Sequence, residues 1–261
     1  MLKKLPAPVL DVAHQKKLEE RDALQGFLQF VMLKHLSLNQ ARFMGGTALV
    51  LGYNNPRFSE DVDLTGVKDP LKLKPGLWRA VIELQQWLGI KVKLIDPKPG
   101  KATFKIQCHY DRATTISLHV DSQPYPAITQ HPVIVVYSTL PPLVCPSVTV
   151  PEIMADKLVA VAFRNYLSGR DLFDLWFHWL KDGIKQEMTV DIKKLLITKC
   201  QQRNISHAEW LGRLQARMSL KKQQTRLMQE WQRYLPQNFQ SKTIQEALWQ
   251  SFLGLTQIFY K

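Results

Sequence analysis

Cysteine is scarce in this sequence, and the few that occur form no recognisable motif. The 261 residues include Cys108, Cys145 and Cys200, an odd number with no CxxC pair and no histidine at zinc spacing. This distribution argues against both a disulfide scaffold and a structural zinc site.

Long hydrophobic runs are also missing. No stretch reaches the roughly 18 uninterrupted apolar residues of a membrane span. The start of the chain meets Asp11, His14 and Glu19 where a signal peptide would have its apolar core. We therefore expect a cytoplasmic protein without a membrane partner. Because 45% of the residues are apolar and 10% aromatic, the composition is that of a folded globular chain rather than a disordered one.

Acidic residues are few compared with basic ones. The chain has 35 lysines and arginines against 22 aspartates and glutamates, a formal net charge of +13. Such an excess suggests polyanionic partners, with nucleic acid first and nucleotide phosphates second. Two basic series would provide the contacts to RNA, one at 91–105 and one in the C-terminal part of the chain. The C-terminal series consists of Lys193, Lys194, Arg213, Arg217, Lys221, Lys222 and Arg226.

The apolar periodicity divides the chain into two regions. From about Asp11 to Leu36 the spacing predicts one amphipathic helix, and a strand, a glycine turn, a short helix and further strands follow. After the last proline of the 141–146 passage, helical patterns alone continue to the C-terminus. The sequence thus predicts an α+β domain at 1–146, with a short mixed β-sheet and flanking helices, and an all-helical domain at 147–261.

Two aspartates stand two positions apart in a short apolar segment. Val62 and Leu64 alternate with Asp61 and Asp63, which predicts a strand with one acidic face. Both carboxylates leave the same side of such a strand, with Cα atoms about 6.5–7 Å apart. Paired carboxylates with open positions suit Mg²⁺, or Mn²⁺, because these ions also accept substrate phosphates as ligands. The alternative interpretation is a solvated strand face.

A glycine pair precedes the acidic strand. Gly45, Gly46 and Thr47 open a short predicted helix 16 positions before Asp61. Adjacent glycines let the backbone approach a phosphate, and a helix N-terminus presents free N–H groups to it. Together with the aspartates, this turn predicts a site for a nucleoside triphosphate; without them it would be a tight turn and nothing more.

A second group of charged residues lies in the helical region. Lys157 and Arg164 share one face of a predicted helix, from which they could reach phosphates. That helix should break at Ser168–Gly169. A new helix then places Asp171 near its N-terminus, where the helix dipole favours a carboxylate.

The run GGTALVLGYNNPRFSEDVDLTG, residues 45–66, resembles the signature of the AbiEii/AbiGii toxin family of nucleotidyltransferase-fold proteins. In that signature a glycine turn, an arginine and a Ser-x-Asp-x-Asp string recur in this order, and Arg57 and Ser59 match it. The resemblance implies the minimal nucleotidyltransferase fold followed by a helical domain. It also implies the toxin half of a bacterial toxin–antitoxin or abortive-infection pair.

The second group also resembles the family, through its K…R…RDxxD pattern. The resemblance implies that Lys157 contacts the triphosphate and that Asp171 is needed for activity. Arg170 and Asp174 match the same pattern less decisively. For Asp174 we favour a salt-bridged structural role.

A third carboxylate generally completes the two-metal site of this fold. In the strand that ends at Asp121, Ile116, Leu118 and Val120 share one face, whereas His119 and Asp121 share the polar face. Asp121 is therefore the candidate for a metal ligand or base. Termination of the strand by an Asp–Ser turn is an equally good interpretation.

The residues and the family resemblance predict a Mg²⁺-dependent nucleotidyltransferase that moves NMP from an NTP to an acceptor hydroxyl on RNA, with tRNA as a candidate. The resemblance makes it the toxin of a toxin–antitoxin system, with a cognate antitoxin as a candidate partner. Two alternatives stay open: a catalytically silent RNA-binding module of the same fold, and phosphoryl transfer to a protein. The predicted catalytic residues are Asp61, Asp63, Asp121 and Asp171, of which the first three would hold metal. The predicted nucleotide-binding residues are Gly45, Gly46, Thr47, Arg57, Ser59, Lys157 and Arg164.

Overall fold

A computed structural model of the protein describes residues 5–16, 18–36, 38, 41–109, 115–181, 183, 186–218 and 224–260. The chain forms two compact units. Met1–Gly52 and Glu60–Val148 make up the sheet unit, and Tyr53–Ser59 and Thr149–Lys261 make up the helical unit. Lys221 and Lys222 of the C-terminal basic series lie outside the described residues.

The N-terminal segment contains two helices where the periodicity predicts one. The extended backbone of Glu19, with φ −64° and ψ 146°, separates them, so the single helix expected from Asp11 to Leu36 is wrong. Glu20 and Asp22 in the first turn then favour a new start, because carboxylates are stabilised at a helix N-terminus. The helices of the sheet unit are α1 (Ala7–Lys16), α2 (Glu20–His35), α3 (Gly45–Gly52) and α4 (Lys74–Leu88).

The described residues form a mixed seven-stranded sheet in the order β3-β4-β5-β2-β1-β7-β6. Its strands are β1 (Arg42–Met44), β2 (Val62–Thr65), β3 (Val92–Ile95), β4 (Thr103–His109), β5 (Thr115–Gln123), β6 (His131–Val135) and β7 (Leu143–Ser147). The pairs β2–β5 and β1–β7 are parallel and the other pairs are antiparallel. The predicted mixed sheet with flanking helices is confirmed.

Strand β7 is the element that the sequence pattern hides. It contains Pro146, which lies opposite Pro132 of the edge strand β6, and prolines usually mark strand ends or edges. The strand joins the centre of the sheet at one position only, where Ser147 is opposite Phe43 and its hydroxyl donates to the Phe43 carbonyl at 2.7 Å. Strand β7 thus pairs along its whole length with the edge strand β6, and its contact with β1 is short, with one further backbone hydrogen bond from Val148 N to the Phe43 carbonyl at 3.1 Å.

The central strands bury one face and leave the other available. Val120 of β5 lies between Val62 of β2 and Phe104 of β4, and all three side chains are fully buried. Because successive residues of a strand point to opposite faces, the residues next to them in sequence lie on the other side of the sheet. Asp63, Asp121 and Thr103 occupy that side.

The described part of the helical unit contains no strand, as the sequence predicts. Its helices are α5 (Val150–Phe163), α6 (Gly169–Leu175), α7 (Gln186–Gln202), α8 (His207–Met218), α9 (Gln224–Tyr234) and α10 (Lys242–Tyr260), with a π-helical turn at Trp176–Leu180. A buried ion pair joins α5 to α7, since Lys199 Nζ lies 2.6 Å from Glu152 Oε1 and 2.9 Å from Asp156 Oδ2. Among the described helices, none has the length and apolar character needed to span a bilayer.

Candidate active site

Asp63 and Asp121 are direct neighbours in the sheet. They face each other in the parallel pair β2–β5, and Thr103 of β4 is opposite Asp121 on its other side. The Thr103 hydroxyl donates a hydrogen bond to Asp121 Oδ1. The structure therefore brings together two carboxylates that are 58 positions apart in the chain, and it adds a threonine that the sequence pattern does not single out.

Asp61 lies just before β2 and beside the same pair. Its Oδ1 is 3.0 Å from His119 Nδ1, and its side chain is 34% exposed. Burial raises the pKa of Asp61 above its ordinary value, although the hydrogen bond and charge of His119 lower it, and the negative charges of Asp121 and Glu60 raise it further. The three aspartates thus form one centre of negative charge on the polar face of the sheet.

The Asp63 carboxylate occupies the space where a side chain at Gly45 would lie. Gly45 has φ +75°, a conformation that favours glycine, and a Cβ atom placed on it would lie 2.0 Å from Asp63 Oδ2. Any side chain at position 45 would therefore displace the carboxylate. The glycine that the sequence predicts to approach a phosphate is in direct contact with the acidic strand.

The donor set of this centre suits a hard divalent cation. In the described part of the chain, no three histidine, cysteine, aspartate or glutamate side chains converge enough to form a metal site unaided. Mg²⁺ needs fewer protein ligands, because it is commonly bound by one or two carboxylates while substrate phosphates and water supply the remaining oxygens. Asp61 and Asp63 fit that requirement, and Asp121 adds a negative charge beside them.

Thr47 has its hydroxyl directed at the protein rather than outward. The residue is fully buried, and Oγ1 donates to the backbone carbonyl of Asp61. This contact connects the start of α3 to the segment that carries the first aspartate. It gives Thr47 a part in positioning Asp61.

The helical unit contains a second charged centre, around Asp174. Arg57 donates two hydrogen bonds to this carboxylate, from Nε to Oδ1 at 2.6 Å and from Nη2 to Oδ2 at 2.8 Å. Lys157 Nζ lies 2.7 Å from Asp174 Oδ2 and 2.8 Å from Asp171 Oδ1. Arg164 Nη1 contacts the other oxygen of Asp171. The structure thus joins four residues predicted to act on the nucleotide or in catalysis, together with Asp174, in one network.

Both carboxylates of this network are held in their ionised form. Burial alone would raise the pKa of both aspartates, but Arg57 and Lys157 lower the pKa of Asp174 to about 2. Lys157 and Arg164 likewise hold the pKa of Asp171 below its usual range. Both carboxylates are therefore ionised at neutral pH, and they contact Arg57, Lys157 and Arg164.

Two polar residues missed by the sequence analysis complete the network. Asn55 Nδ2 donates to Asp174 Oδ1 at 2.7 Å and lies 3.2 Å from His178 Nε2. The pKa of His178 is lowered to about 4, chiefly by burial; the charge of Asp174 opposes this shift, and the positive charges of Lys157 and Arg57 add to it. The imidazole is thus neutral and can accept the hydrogen bond from Asn55. A single asparagine in an Asn–Asn–Pro turn gives no sequence signal for such a role.

Ser59 and Arg57 belong to the segment 53–59, which is part of the helical unit. Both side chains are buried, and Phe58 N donates to the Tyr234 carbonyl at 2.9 Å. The segment that leads to the acidic strand is therefore fixed by α6 and α9.

The start of α6 is held by α9. Helix α5 ends at Phe163, five residues before the predicted break, and α6 begins at Gly169. Glu230 accepts from Gly169 N at 2.9 Å and from the Ser168 hydroxyl at 3.0 Å. A carboxylate at this place satisfies N–H groups at the helix start and fixes the turn that carries Asp171.

Comparison with known proteins agrees with this architecture. A family model described as the nucleotidyl transferase AbiEii toxin of the type IV toxin–antitoxin system matches residues 30–253. MenT4, a nucleotidyltransferase toxin from Mycobacterium tuberculosis, superposes with a TM-score of 0.64 at 16% identity, covering 95% of this chain and 89% of its own. A candidate nucleotidyltransferase from H. pylori gives a TM-score of 0.51 at 16% identity, covering 93% and 96%. No curated protein sequence matched the chain.

Proposed function

The chain belongs to the AbiEii nucleotidyl transferase toxin family and is thus a nucleotidyltransferase, and on that premise we propose that it transfers NMP from an NTP to a hydroxyl group of RNA. The acceptor oxygen forms a bond to the α-phosphorus, the bond from that phosphorus to the bridging oxygen breaks, and pyrophosphate leaves. The observation that carries this proposal is the register of Asp63 with Asp121, with Gly45 pressed against the Asp63 carboxylate.

Asp61 and Asp63 would hold a divalent cation, Mg²⁺ or Mn²⁺. When bound, the cation neutralises phosphate charge and supports in-line displacement. Asp121, oriented by Thr103, would be a further ligand or would accept the proton of the attacking hydroxyl. Asp171 is the other candidate for assisting the acceptor.

The backbone of Gly45 and Gly46 would lie along the phosphates, since both residues are at the N-terminus of α3. Lys157 and Arg164 are proposed to contact nucleotide phosphate, as the family resemblance implies. The charge of both side chains supports this role, because hydrogen bonds between a cation and a phosphate are strong. Thr47 would position the acidic segment through its hydrogen bond to the Asp61 carbonyl, and Arg57 would fix the residues before it by binding Asp174. Ser59 stays a candidate for nucleotide binding on the family resemblance alone.

The acceptor is proposed to be RNA because of the basic composition, and tRNA is one candidate. The family description places such proteins in type IV toxin–antitoxin systems. We therefore also infer a cognate antitoxin.

Transfer can be tested by incubating the purified protein with α-labelled NTPs, Mg²⁺ and total RNA. We expect labelled RNA with the wild type and none with Asp63→Ala. Asp96→Ala is the matched control, because this carboxylate is exposed and its Oδ2 lies 2.5 Å from Nζ of the exposed Lys74. Equal labelling by wild type and Asp63→Ala would refute the assignment of the acidic strand.

A further inference from the structure

An arginine-rich surface surrounds the segment that joins α5 to α6. Arg213 Cζ lies 4.5 Å from the centre of the Phe163 ring, and Arg226 Cζ lies 4.2 Å from the centre of the Tyr166 ring. Arg217, one turn after Arg213 on α8, donates to the backbone carbonyls of Arg164 and Asn165. We name Arg164, Tyr166, Arg213, Arg217 and Arg226 the arginine ledge.

The ledge is open to solvent. Tyr166 is 40% exposed, and the side chains of Arg164 and Arg213 are about half exposed, at 49% and 54%. Arg226 is exposed as well. An aromatic ring stacked on a guanidinium in this setting presents a π-face next to a cation.

The charge of the ledge is positive after its acidic neighbours are counted. Asp171 contacts Arg164, and Glu209 Oε1 lies 3.2 Å from Arg213 Nε. Four arginines thus face two carboxylates. The helical unit as a whole is basic, with 18 lysines and arginines against 10 aspartates and glutamates.

Part of this arrangement has a structural explanation. Arg217 fixes the segment that follows α5, because its guanidinium donates to the backbone carbonyls of Arg164 and Asn165. That role does not require an exposed Tyr166 with Arg226 stacked on it. The Tyr166–Arg226 pair is the part of the ledge that points to a ligand.

We propose that the arginine ledge binds single-stranded RNA, with a base stacked on Tyr166 and phosphates held by Arg213 and Arg226. Base stacking on aromatic rings and backbone contacts to arginine are the two general elements of single-strand binding. Arg164 belongs both to the ledge and to the Asp171 network, so bound RNA would lie beside a residue proposed to assist the acceptor. That the bound RNA is the acceptor substrate rests on the proposed function. Binding of RNA to the arginine ledge does not depend on transfer.

Binding is tested without NTP and with EDTA, so that it is independent of catalysis. A fluorescent 12-nucleotide single-stranded RNA of mixed sequence is titrated with the full-length protein and followed by anisotropy. We expect Tyr166→Ala to weaken binding at least about fivefold, since stacking of one base is lost. Tyr166→Phe keeps the ring and should bind as the wild type does.

Arg226→Gln should weaken binding and reduce the slope of log Kd against log salt by about 0.7, the value for one lost phosphate contact on a single strand. The control is Lys242→Gln, because this side chain is 86% exposed and lies outside the ledge. Thermal unfolding of each variant shows whether it is folded, and the pair Tyr166→Phe and Tyr166→Ala separates loss of the ring from loss of the hydroxyl.

Absence of binding by the wild type at low salt would overturn the proposal, as would equal Kd values for wild type, Tyr166→Ala and Arg226→Gln. If the ledge variants lose RNA affinity while Asp63→Ala retains it, the ledge is supported whatever the outcome of the labelling assay. Loss of labelling with intact RNA binding would instead concern the acidic strand alone.

Discussion

Replacing Arg57 by methionine removes a buried guanidinium and keeps much of its volume. The side chain of Arg57 is 3% exposed and that of Asp174 is 0% exposed, so water cannot replace the two hydrogen bonds to Asp174 that are lost, and a bond from Nη1 to the Phe58 carbonyl is lost as well. Removing one partner of a buried ion pair costs about 3–5 kcal/mol. Lys157 and Asn55 still contact Asp174, each at 2.7 Å. We therefore expect a loss at the lower end of this range, a decrease of about 3 kcal/mol in the free energy of unfolding.

The pH dependence of the same variant follows from the pKa of Asp174. In the fold this pKa is about 2, below the ordinary 3.8, despite burial and because of Arg57 and Lys157. A depressed carboxyl pKa stabilises the fold fully above pH 3.8, and the stabilisation is lost as the pH falls through 2. Without Arg57 the folded-state pKa rises. Acid unfolding of Arg57→Met should thus begin at a higher pH than that of the wild type.

The measurement is urea unfolding at pH 7 followed by far-UV circular dichroism, for Arg57→Met, Asp174→Asn and the double variant. The double variant should lose less than the sum of the two single losses, because each single change leaves an unpaired group. Arg21→Met is the matched control, since Arg21 is exposed on α2 and its replacement should change stability by no more than about 0.5 kcal/mol.

A free energy of unfolding of Arg57→Met within about 1 kcal/mol of the wild-type value would contradict this expectation, because the difference would be well below the cost of breaking a buried ion pair. If that variant had also lost nucleotide affinity, Arg57 would act on the substrate, as the family resemblance implies. A large loss of stability would instead assign Arg57 to fixing the segment before the acidic strand.

Three further predictions concern other features. Gly45→Ala should abolish transfer, because its Cβ would displace the Asp63 carboxylate. Gly100→Ala has a similar φ of +72° and no atom within 4 Å of the added Cβ, so in a labelling assay it should retain activity. The wild type should lose about 3 kcal/mol of stability between pH 6.5 and about 4, because His178 has a pKa of about 4 in the fold and the unfolded chain binds the proton first. This loss should be absent in acid titrations of His178→Gln. Lys199→Met should destabilise the protein by at least about 3 kcal/mol in urea, since it leaves buried carboxylates without their lysine, and unchanged stability would show that the ion pair contributes little.

Local patterns were sufficient for the parts of the fold that depend on short segments. The alternation around Asp61 and Asp63 identifies an acidic strand face because successive side chains of a strand point in opposite directions. The same rule placed Asp121 on the polar side of β5. Periodicity failed at Glu19, where an extended residue divides a helix, and at β7, where pairing with the edge strand β6 holds a strand that contains proline.

Short-range patterns predict a glycine turn, an acidic strand and a change from mixed to helical structure, since each depends on residues that are close in the chain. Which charges meet depends on the three-dimensional fold. Arg57 and Asp174 are 117 positions apart, and their pairing depends on the path of the chain between them. The same holds for the contact of Gly45 with Asp63 and for the hydrogen bond from Thr103 to Asp121. A buried charge is stable only beside a partner, and the fold as a whole supplies that partner.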